Sequence, residues 1–516
     1  MTADTSRQRT GGGSPDASSI LEARRGLLAA VLVTLFLAAA GVRLVELDAP
    51  GVLVDRDYTS ALFARDLYFR HAENIEPWRR EIVRETRQNE PALEPPVTEW
   101  LASMLYRAAG REDMRLARVL TSAFWLMGGW LLYRTAQRLV STDAAVFALA
   151  YYLFLPYSIL LSRSFQPDAL MMLGFLASLH LVVRHHEAPS GRTLFAAALA
   201  AGLTAAYRPL VLPALLGAFA VPSMQRRGLI RGAFDRSTMI YSTIAVAPAL
   251  CYYWYATFVA GHFRGQVALS FRPHLLRHLE YWAGWGEAVL IVIGAASLVL
   301  GACGVVLLRA GLPRSLIVGA VLGYLVFGLL FTLHIHTHEY YSAQLIPLVA
   351  IAVSPAAVAL AGRFMGAQGR ALKATSLIVV PVVIVGAIAL ELWQAMGRAH
   401  GEPPEVAREV GQIVGHSPHV VFLSPYYGRS LQYLGEFTGA YWPRPITYWL
   451  YRRQGERELS VAERLASIGF EPEYFVITDF PEFEDHHQDL AVYLESRCHL
   501  KARTSNYLIY ETCEQP

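Results

Sequence analysis

Apolar runs of about twenty residues recur along this 516-residue chain, beginning with Leu27 to Leu47, and a helix of that length crosses a hydrocarbon core of roughly 30 Å. So many runs cannot share one water-facing core. Only 17% of the residues are charged, where soluble globular proteins carry roughly 25%. A soluble enzyme is excluded, and an all-α polytopic membrane protein follows. Basic character comes almost wholly from arginine, since Lys373 and Lys501 are the only lysines. The arginines are scattered between apolar spans and form no stripe or motif, so the implied partner is the lipid bilayer and not nucleic acid.

Apolar runs and their basic flanks give about eleven spans, near 27–47, 115–133, 143–161, 168–183, 193–206, 209–223, 238–260, 287–308, 315–333, 343–361 and 375–396. The two around 200 are separated only by Tyr207-Arg208, which requires a sharp turn. Residues 97–109 are apolar too, but as a helix they reach only about 20 Å. They read as a juxtamembrane helix in the interface, with Trp100 and Tyr106 at headgroup level. With the N-terminus in the cytoplasm, thirteen basic residues of the short loops fall inside and five outside, the usual bias. Making 97–109 a span would invert it.

The chain therefore divides into a disordered cytoplasmic N-terminus (1–26), a transmembrane module (27–400) whose first extracytoplasmic loop covers 48–114, and an extracytoplasmic domain (401–516). Ala38-Ala39-Ala40 resembles a signal-peptide cleavage site, but the run continues to Leu47 and further spans follow, so it is read as an uncleaved anchor. From Glu402 onward there are 17 acidic and 10 basic residues. Helix-like segments (403–415, 460–468, 482–495) alternate there with strand-like ones (420–423, 474–477, 507–510), a small α/β domain. Cys498 and Cys513 lie within it and could pair outside the cytoplasm; the sequence leaves both states open. Cys251 and Cys303 sit in apolar runs and behave as small hydrophobes. The lysine-poor, alanine- and arginine-rich composition points to a bacterial genome, and so to a bacterial inner membrane.

This topology gathers the unusual chemistry on one aqueous face: Asp55, Asp57, Glu94, Asp168, Arg208, His262 and His334 to Tyr341. Asp55-Arg56-Asp57 follows the first span, where a carboxylate can act as general base once its pKa is raised; the competing readings are helix capping, for which Asp57 is placed, and surface pairing of either aspartate with Arg56. Glu94 precedes two prolines that stiffen the entry to the 97–109 helix. Asp168 opens a span against the positive end of the helix dipole, a place for holding a metal, a base or a sugar hydroxyl. At the turn, Arg208 can fork onto a phosphate. His334, His336 and His338 alternate, so an extended segment would aim all three one way, with Tyr340 and Tyr341 following. The spacing fits no standard zinc motif; phosphate contact is favoured, and a divalent metal ion stays open.

The order of these features resembles the GT-C glycosyltransferases of the protein mannosyltransferase and aminoarabinose transferase type. An acid pair follows the first span, then come a Pro-Pro helix, a Pro-Asp at a later outer end, and a His/Tyr-rich loop before an apolar span with Pro347. The resemblance covers roughly 27–400. It implies a GT-C fold and transfer of a sugar, with inversion, from a polyprenyl-phosphate carrier to an extracytoplasmic glycan, lipid or protein. Asp55, or Asp57 in its place, would be the base. Arg208, His336, His338 and Tyr340 would hold the leaving phosphate, with Tyr341 alongside, while Glu94 and Asp168 would orient the sugar or a divalent ion. The sequence departs from the family in separating its aspartates by Arg56 and in placing Glu94 where a lysine is usual. In the tail, Tyr426, Tyr427, Tyr441, Trp442, Tyr448 and Trp449 could present aromatic faces to a glycan, or simply form a core. The rival classes are a transporter or lipid flippase, disfavoured because span interiors are nearly free of acids, and a ligase or polymerase of lipid-linked oligosaccharides.

Overall fold

A computed structural model of the chain describes residues 21–22, 24–48, 54–89, 93–265, 270–364, 402–444 and 459–513. The segment 375–396, Tyr448, Trp449 and the first twenty residues lie outside the described residues. The first expected span is helix α1 (Arg25–Leu44). The loop after it folds into α2 (Val54–Phe69), α3 (Pro77–Asn89) and α4 (Val97–Ala109). At 13 residues, α4 matches the expected short helix, and Gly110 ends it in the left-handed conformation. Its aromatic residues part company: Trp100 is exposed, while Tyr106 is fully buried and meets Tyr68 edge-on at 6.0 Å. Tyr106 thus belongs to the core of the first loop rather than to the headgroup level.

The bundle continues with α5 (Met114–Leu139), α6 (Thr142–Phe154), α7 (Pro156–Arg163), α8 (Asp168–Glu187), α9 (Gly191–Tyr207), α10 (Leu212–Arg227), the short α11 (Leu229–Ala233) and α12 (Arg236–Trp254). It then runs through α13 (Leu279–Ile293), α14 (Ala295–Leu307), α15 (Leu312–Leu330), α16 (Thr332–Thr337) and α17 (Leu345–Phe364). Among the described residues four helices are long and apolar enough to cross a membrane, or six if each bent pair is one span. The bends have local causes. Pro156 lacks the N–H that would continue α6, and the α6–α7 pair turns by 59°. The run expected to cross once at 287–308 is instead broken at Gly294, whose φ of 77° is easy only without a Cβ, and α13–α14 bends by 87°.

Close backbone approach fixes the centre of the bundle. A Cβ on Gly319 of α15 would lie 2.2 Å from the carbonyl oxygen of Gly217 on α10, and one on Gly323 would lie 2.0 Å from that of Pro213. This is how small residues let helices associate where lipid supplies no hydrophobic drive between them.

The C-terminal region carries a five-stranded sheet ordered β2-β1-β3-β5-β4: β1 (Val420–Leu423), β2 (Gly439–Tyr441), β3 (Tyr474–Ile477), β4 (Cys498–Arg503) and β5 (Leu508–Cys513). β1 runs parallel to β2 and β3, whereas β5 is antiparallel to β3 and β4. Helices α18 (Pro404–Ile413), α19 (Arg429–Gly435), α20 (Val461–Ser467), α21 (Phe480–His486) and α22 (Gln488–Arg497) surround it. β2 and β4 were not expected from the sequence, and the helix expected over 482–495 is two, α21 and α22. Cys498 is disulfide-bonded, and β4 and β5 set Cys498 directly opposite Cys513.

This region docks on the first loop. Arg65 of α2 donates from Nε to Glu112 at 2.9 Å and from Nη1 to the Tyr433 carbonyl at 2.7 Å, and its guanidinium lies 3.8 Å from the Tyr433 ring centroid. Trp78 of α3 stacks on His416 at 4.3 Å, and Arg79 pairs with Glu436. Sheet and first loop therefore lie on the same side of the bundle. Gly319→Leu is expected to cost about 1–3 kcal/mol or more of stability in detergent by forcing α10 and α15 apart. Gly286→Ala in α13, where an added Cβ meets nothing within 4 Å, should leave the thermal midpoint unchanged or raised; equal behaviour of the two would refute the crossing.

Candidate functional site

The turn that follows α1, residues 45–48, leaves carbonyls without ladder partners, and arginines from other helices satisfy them. Arg163 at the end of α7 donates to the carbonyls of Val45 (2.6 Å) and Glu46 (3.0 Å), and Arg118 of α5 donates to that of Leu47 (2.6 Å). Arg43 is fully buried and donates to Ser162 Oγ (2.7 Å) and to the carbonyls of Ala39 (3.0 Å) and Leu153 (2.9 Å). The chain leaving α1 is held where α2 begins, and so are its two aspartates.

Asp55 and Asp57 both lie in the first turn of α2, yet their surroundings differ. Asp57 is wholly buried and accepts from Arg118 Nη2 at 3.1 Å. Burial pushes its carboxyl up, against the opposing pull of Arg118, the Ser164 hydroxyl and the Phe165 N–H. Asp55 is half-buried, and its carboxylate has no hydrogen bond or ion pair among the described residues. Arg56 between them points to the third acid: its guanidinium is 3.8 Å from Glu94 and 5.8 Å from the Tyr340 ring.

Arg208, 2% exposed at the end of α9, joins the remaining acids. Its Nη2 donates to both oxygens of fully buried Asp168 at 2.9 Å, and Nη1 donates to Glu94. Its plane lies 5.9 Å from the rings of Tyr340 and Tyr341. Burial alone would raise Glu94, but Arg208 and Arg56 outweigh it and hold the carboxyl below the usual range. The guanidinium expected to be open to phosphate is thus already engaged by two carboxylates. Asp168 does begin a helix, as expected. The residues tying the turn to α4 include Thr98, hydrogen-bonded to the Tyr207 hydroxyl.

The histidines depart from their expected geometry. Residues 332–337 form α16 rather than an extended strand, so His334, His336 and His338 do not share one side. His336 Nδ1 turns back to the Thr332 carbonyl (2.7 Å), His338 Nδ1 meets Thr337 Oγ1 (2.7 Å), and His334 Nε2 meets Ser270 Oγ (3.1 Å). His334 and His338 nonetheless pack beside Tyr341, at 5.5 and 6.0 Å. Burial first, and neighbouring cations after it, push both imidazoles down to about 4, so at neutral pH they are uncharged. Among the described residues no three His, Cys, Asp or Glu converge as metal ligands would. Glu94 and Asp168 are already neutralised by arginine, a donor set that does not suit a divalent ion.

The geometry therefore unites Glu94, Asp168, Arg208, Tyr340 and Tyr341 in one cluster, brings Asp55, Asp57 and His338 to its edges, and turns His336 away toward Tyr281, 5.4 Å off. Sequence reasoning missed Arg118, although a charge inside an apolar span is itself a signal. It weighed Arg56 as a partner of the flanking aspartates and missed its contact with Glu94. Gln166, wholly buried with neither amide atom hydrogen-bonded among the described residues, carried no sequence signal at all.

Residues 93–254 match the family model for dolichyl-phosphate-mannose-protein mannosyltransferase. In fold the chain is similar to ArnT from Cupriavidus metallidurans bound to undecaprenyl phosphate, with a TM-score of 0.55, 14% identity and coverage of 95% of this chain and 98% of that one. It is similar to the oligosaccharyltransferase AglB from Archaeoglobus fulgidus, in complex with an inhibitory peptide and a dolichol-phosphate (TM-score 0.54, 12% identity, 96% and 75% covered). It also resembles the mycobacterial arabinofuranosyltransferase AftD (TM-score 0.52, 14% identity), of which it spans only 42% while 96% of this chain is covered. No curated protein matches the chain in sequence. The fold is the GT-C fold of polyprenyl-phosphate-dependent membrane glycosyltransferases.

Two outcomes test this electrostatic arrangement. Arg208→Met leaves wholly buried Asp168 uncompensated and Glu94 with Arg56 alone at 3.8 Å, and is expected to cost about 3–5 kcal/mol, part of which Asp168→Leu should restore; a simple sum of the two losses would refute the coupling. Because the folded-state pKa of His334 and His338 lies below 6.5, protons favour the unfolded chain, and stability present above pH 6.5 falls as pH drops toward 4. The His334→Gln, His338→Gln double variant should lose less over that window, read as thermal midpoint against pH.

Proposed function

We propose that the protein is a membrane glycosyltransferase that moves a sugar from a polyprenyl-phosphate carrier to an acceptor hydroxyl on the extracytoplasmic face, with inversion. The observation that carries this reading is the contrast among the site's acids. Asp57, Glu94 and Asp168 are paired with arginine, whereas Asp55, one residue from the charged cluster, keeps a carboxylate unpaired among the described residues. Asp55 is therefore the base and Asp57 a structural anchor for the first turn of α2. Supporting it are the match to the mannosyltransferase family model over 93–254 and the likeness in fold to two enzymes whose structures hold undecaprenyl phosphate and dolichol-phosphate.

In the transfer, Asp55 takes the proton of the acceptor hydroxyl as that oxygen bonds to the anomeric carbon. The bond from that carbon to the carrier phosphate breaks on the opposite face, and polyprenyl phosphate leaves with the electron pair. Arg56 is the cation placed to receive it. It makes no hydrogen bond among the described residues and holds Glu94 only at 3.8 Å, so it can exchange that contact for phosphate at little loss. Arg208 stays with its two carboxylates and keeps Arg56 and Glu94 in place. Tyr340 and uncharged His338 offer hydrogen bonds to the phosphate oxygens in a site that preorganises these donors.

The disulfide at Cys498 suits an oxidising compartment, in keeping with an extracytoplasmic site at a bacterial inner membrane. Glycan, lipid and protein acceptors, and pentose or hexose donors, all fit this chemistry. Asp55→Asn is expected to reduce transfer of radiolabelled sugar from undecaprenyl-phosphate donors by about 100-fold or more with an unchanged thermal midpoint. Full activity of both Asp55→Asn and the Asp55→Asn, Asp57→Asn pair would exclude the base assignment.

A further inference from the structure

A turn over the start of α2 is built against its own backbone preferences. Between β1 and α19, Tyr426, Tyr427 and Gly428 take φ of 51°, 58° and 64°. Glycine bears the left-handed region freely, but a tyrosine enters it against its own Cβ. Burial does not compensate at Tyr427, which is 49% exposed.

The turn is clamped from both flanks. Glu402 is buried and accepts from Ser424 before the turn, from Ser430 after it (2.7 Å) and from Thr478 (2.6 Å). So held, Tyr426 packs on the first-loop cluster that contains Tyr58 of α2. Burial raises its hydroxyl pKa, Arg444 opposes the rise, and nearby Asp55 adds to it. The Tyr427 ring sits 5.2 Å from that of Tyr441, whose hydroxyl is shielded from solvent and has no hydrogen-bond partner among the described residues. The cation in reach, Arg444, is taken by Asp479. Exposed aromatic faces, tyrosine hydroxyls and a neutralised arginine suit an uncharged ring with C–H faces and hydroxyls, and not a phosphate.

We infer that the Tyr426–Tyr427 turn, with Tyr441, is the acceptor wall of the site, stacking a sugar ring of a glycan acceptor so that one of its hydroxyls faces Asp55. Glu402 is its positioning residue. The inference rests on the glycosyltransferase reading and narrows its acceptor to a glycan. Strain retained at an exposed position is then accounted for by binding, since strain persists where surrounding structure over-determines it and function uses it.

The test uses the full chain in detergent, radiolabelled undecaprenyl-phosphate sugars as donors, and short mannose and arabinose oligosaccharides as acceptor probes. Tyr427→Gly relieves the backbone, so its thermal midpoint should hold or rise, while acceptor KM increases about tenfold and donor KM stays within twofold. Glu402→Gln should raise acceptor KM without changing donor KM, and adding Tyr427→Gly to it should bring little further rise. A lowered midpoint with unchanged acceptor KM in Tyr427→Gly would make the turn part of the fold only and overturn the proposal. Saturation-transfer NMR with the same oligosaccharides reads binding without chemistry: signal should be lost in Tyr427→Gly and kept in Asp55→Asn. Absence of signal with the unmodified protein would refute the acceptor wall, whereas signal without any sugar transfer would refute the glycosyltransferase reading alone.

Discussion

Neutralisation of buried charge at one end of the bundle is the constraint on which the site depends. Asp168 and Asp57 are both wholly buried, and an isolated carboxylate in that position is costly enough to protonate or unfold its surroundings. Each is answered by an arginine from another helix, Arg208 and Arg118. Asp57–Arg118 ties α2 to α5, and Arg208, at the end of α9, joins Asp168 of α8 to Glu94 before α4, so these pairs fix the first loop relative to the spans. The same pairs leave Asp55 without a charged partner among the described residues and Arg56 with only a 3.8 Å contact to Glu94.

A second layer comes from arginines that serve carbonyls. Arg43, Arg118 and Arg163 satisfy backbone oxygens around the end of α1 and at the α6–α7 bend. The region that bears the sheet is then locked onto α2 and α3 by Arg65, Arg79 and the Trp78–His416 stack. One face of a membrane bundle thus acquires a roofed site: spans below, first-loop helices at the side, and the Tyr426–Tyr427 turn above.

The sequence made much of this legible where a residue carried a cost visible in one dimension. Tyr207-Arg208 marked a tight turn because a charge interrupts an apolar run, whereas the break at Pro156 fell inside a stretch read as one span, 143–161. The helix of 97–109 was too short to span, and its structure agrees. Failures share a different cause. His334 to His338 alternate in polarity, but six residues are too few to tell a strand period from one helical turn, and α16 won. Gly294 looked like an ordinary small residue inside an apolar run, since only its φ reveals the corner. β2 was hidden because it is three residues long, and β4 because its alternation of Cys498, Leu500 and Ala502 with His499, Lys501 and Arg503 is short and mostly exposed.

The sequence by itself determined that this chain is a multi-pass membrane protein, and it predicted that its acids and turn-borne arginine would gather at one end of the bundle with a hydrophilic α/β region. Hydrophobic length and charge bias are additive properties of a string, so they can be read without coordinates. Only the tertiary structure decided which acid is spent on an arginine and which is free, and that Arg208 serves carboxylates while Arg56 remains available. Pairing depends on distances between groups far apart in the chain, from Asp57 to Arg118 and from Glu94 to Arg208. No local pattern encodes which partner arrives first when the helices close.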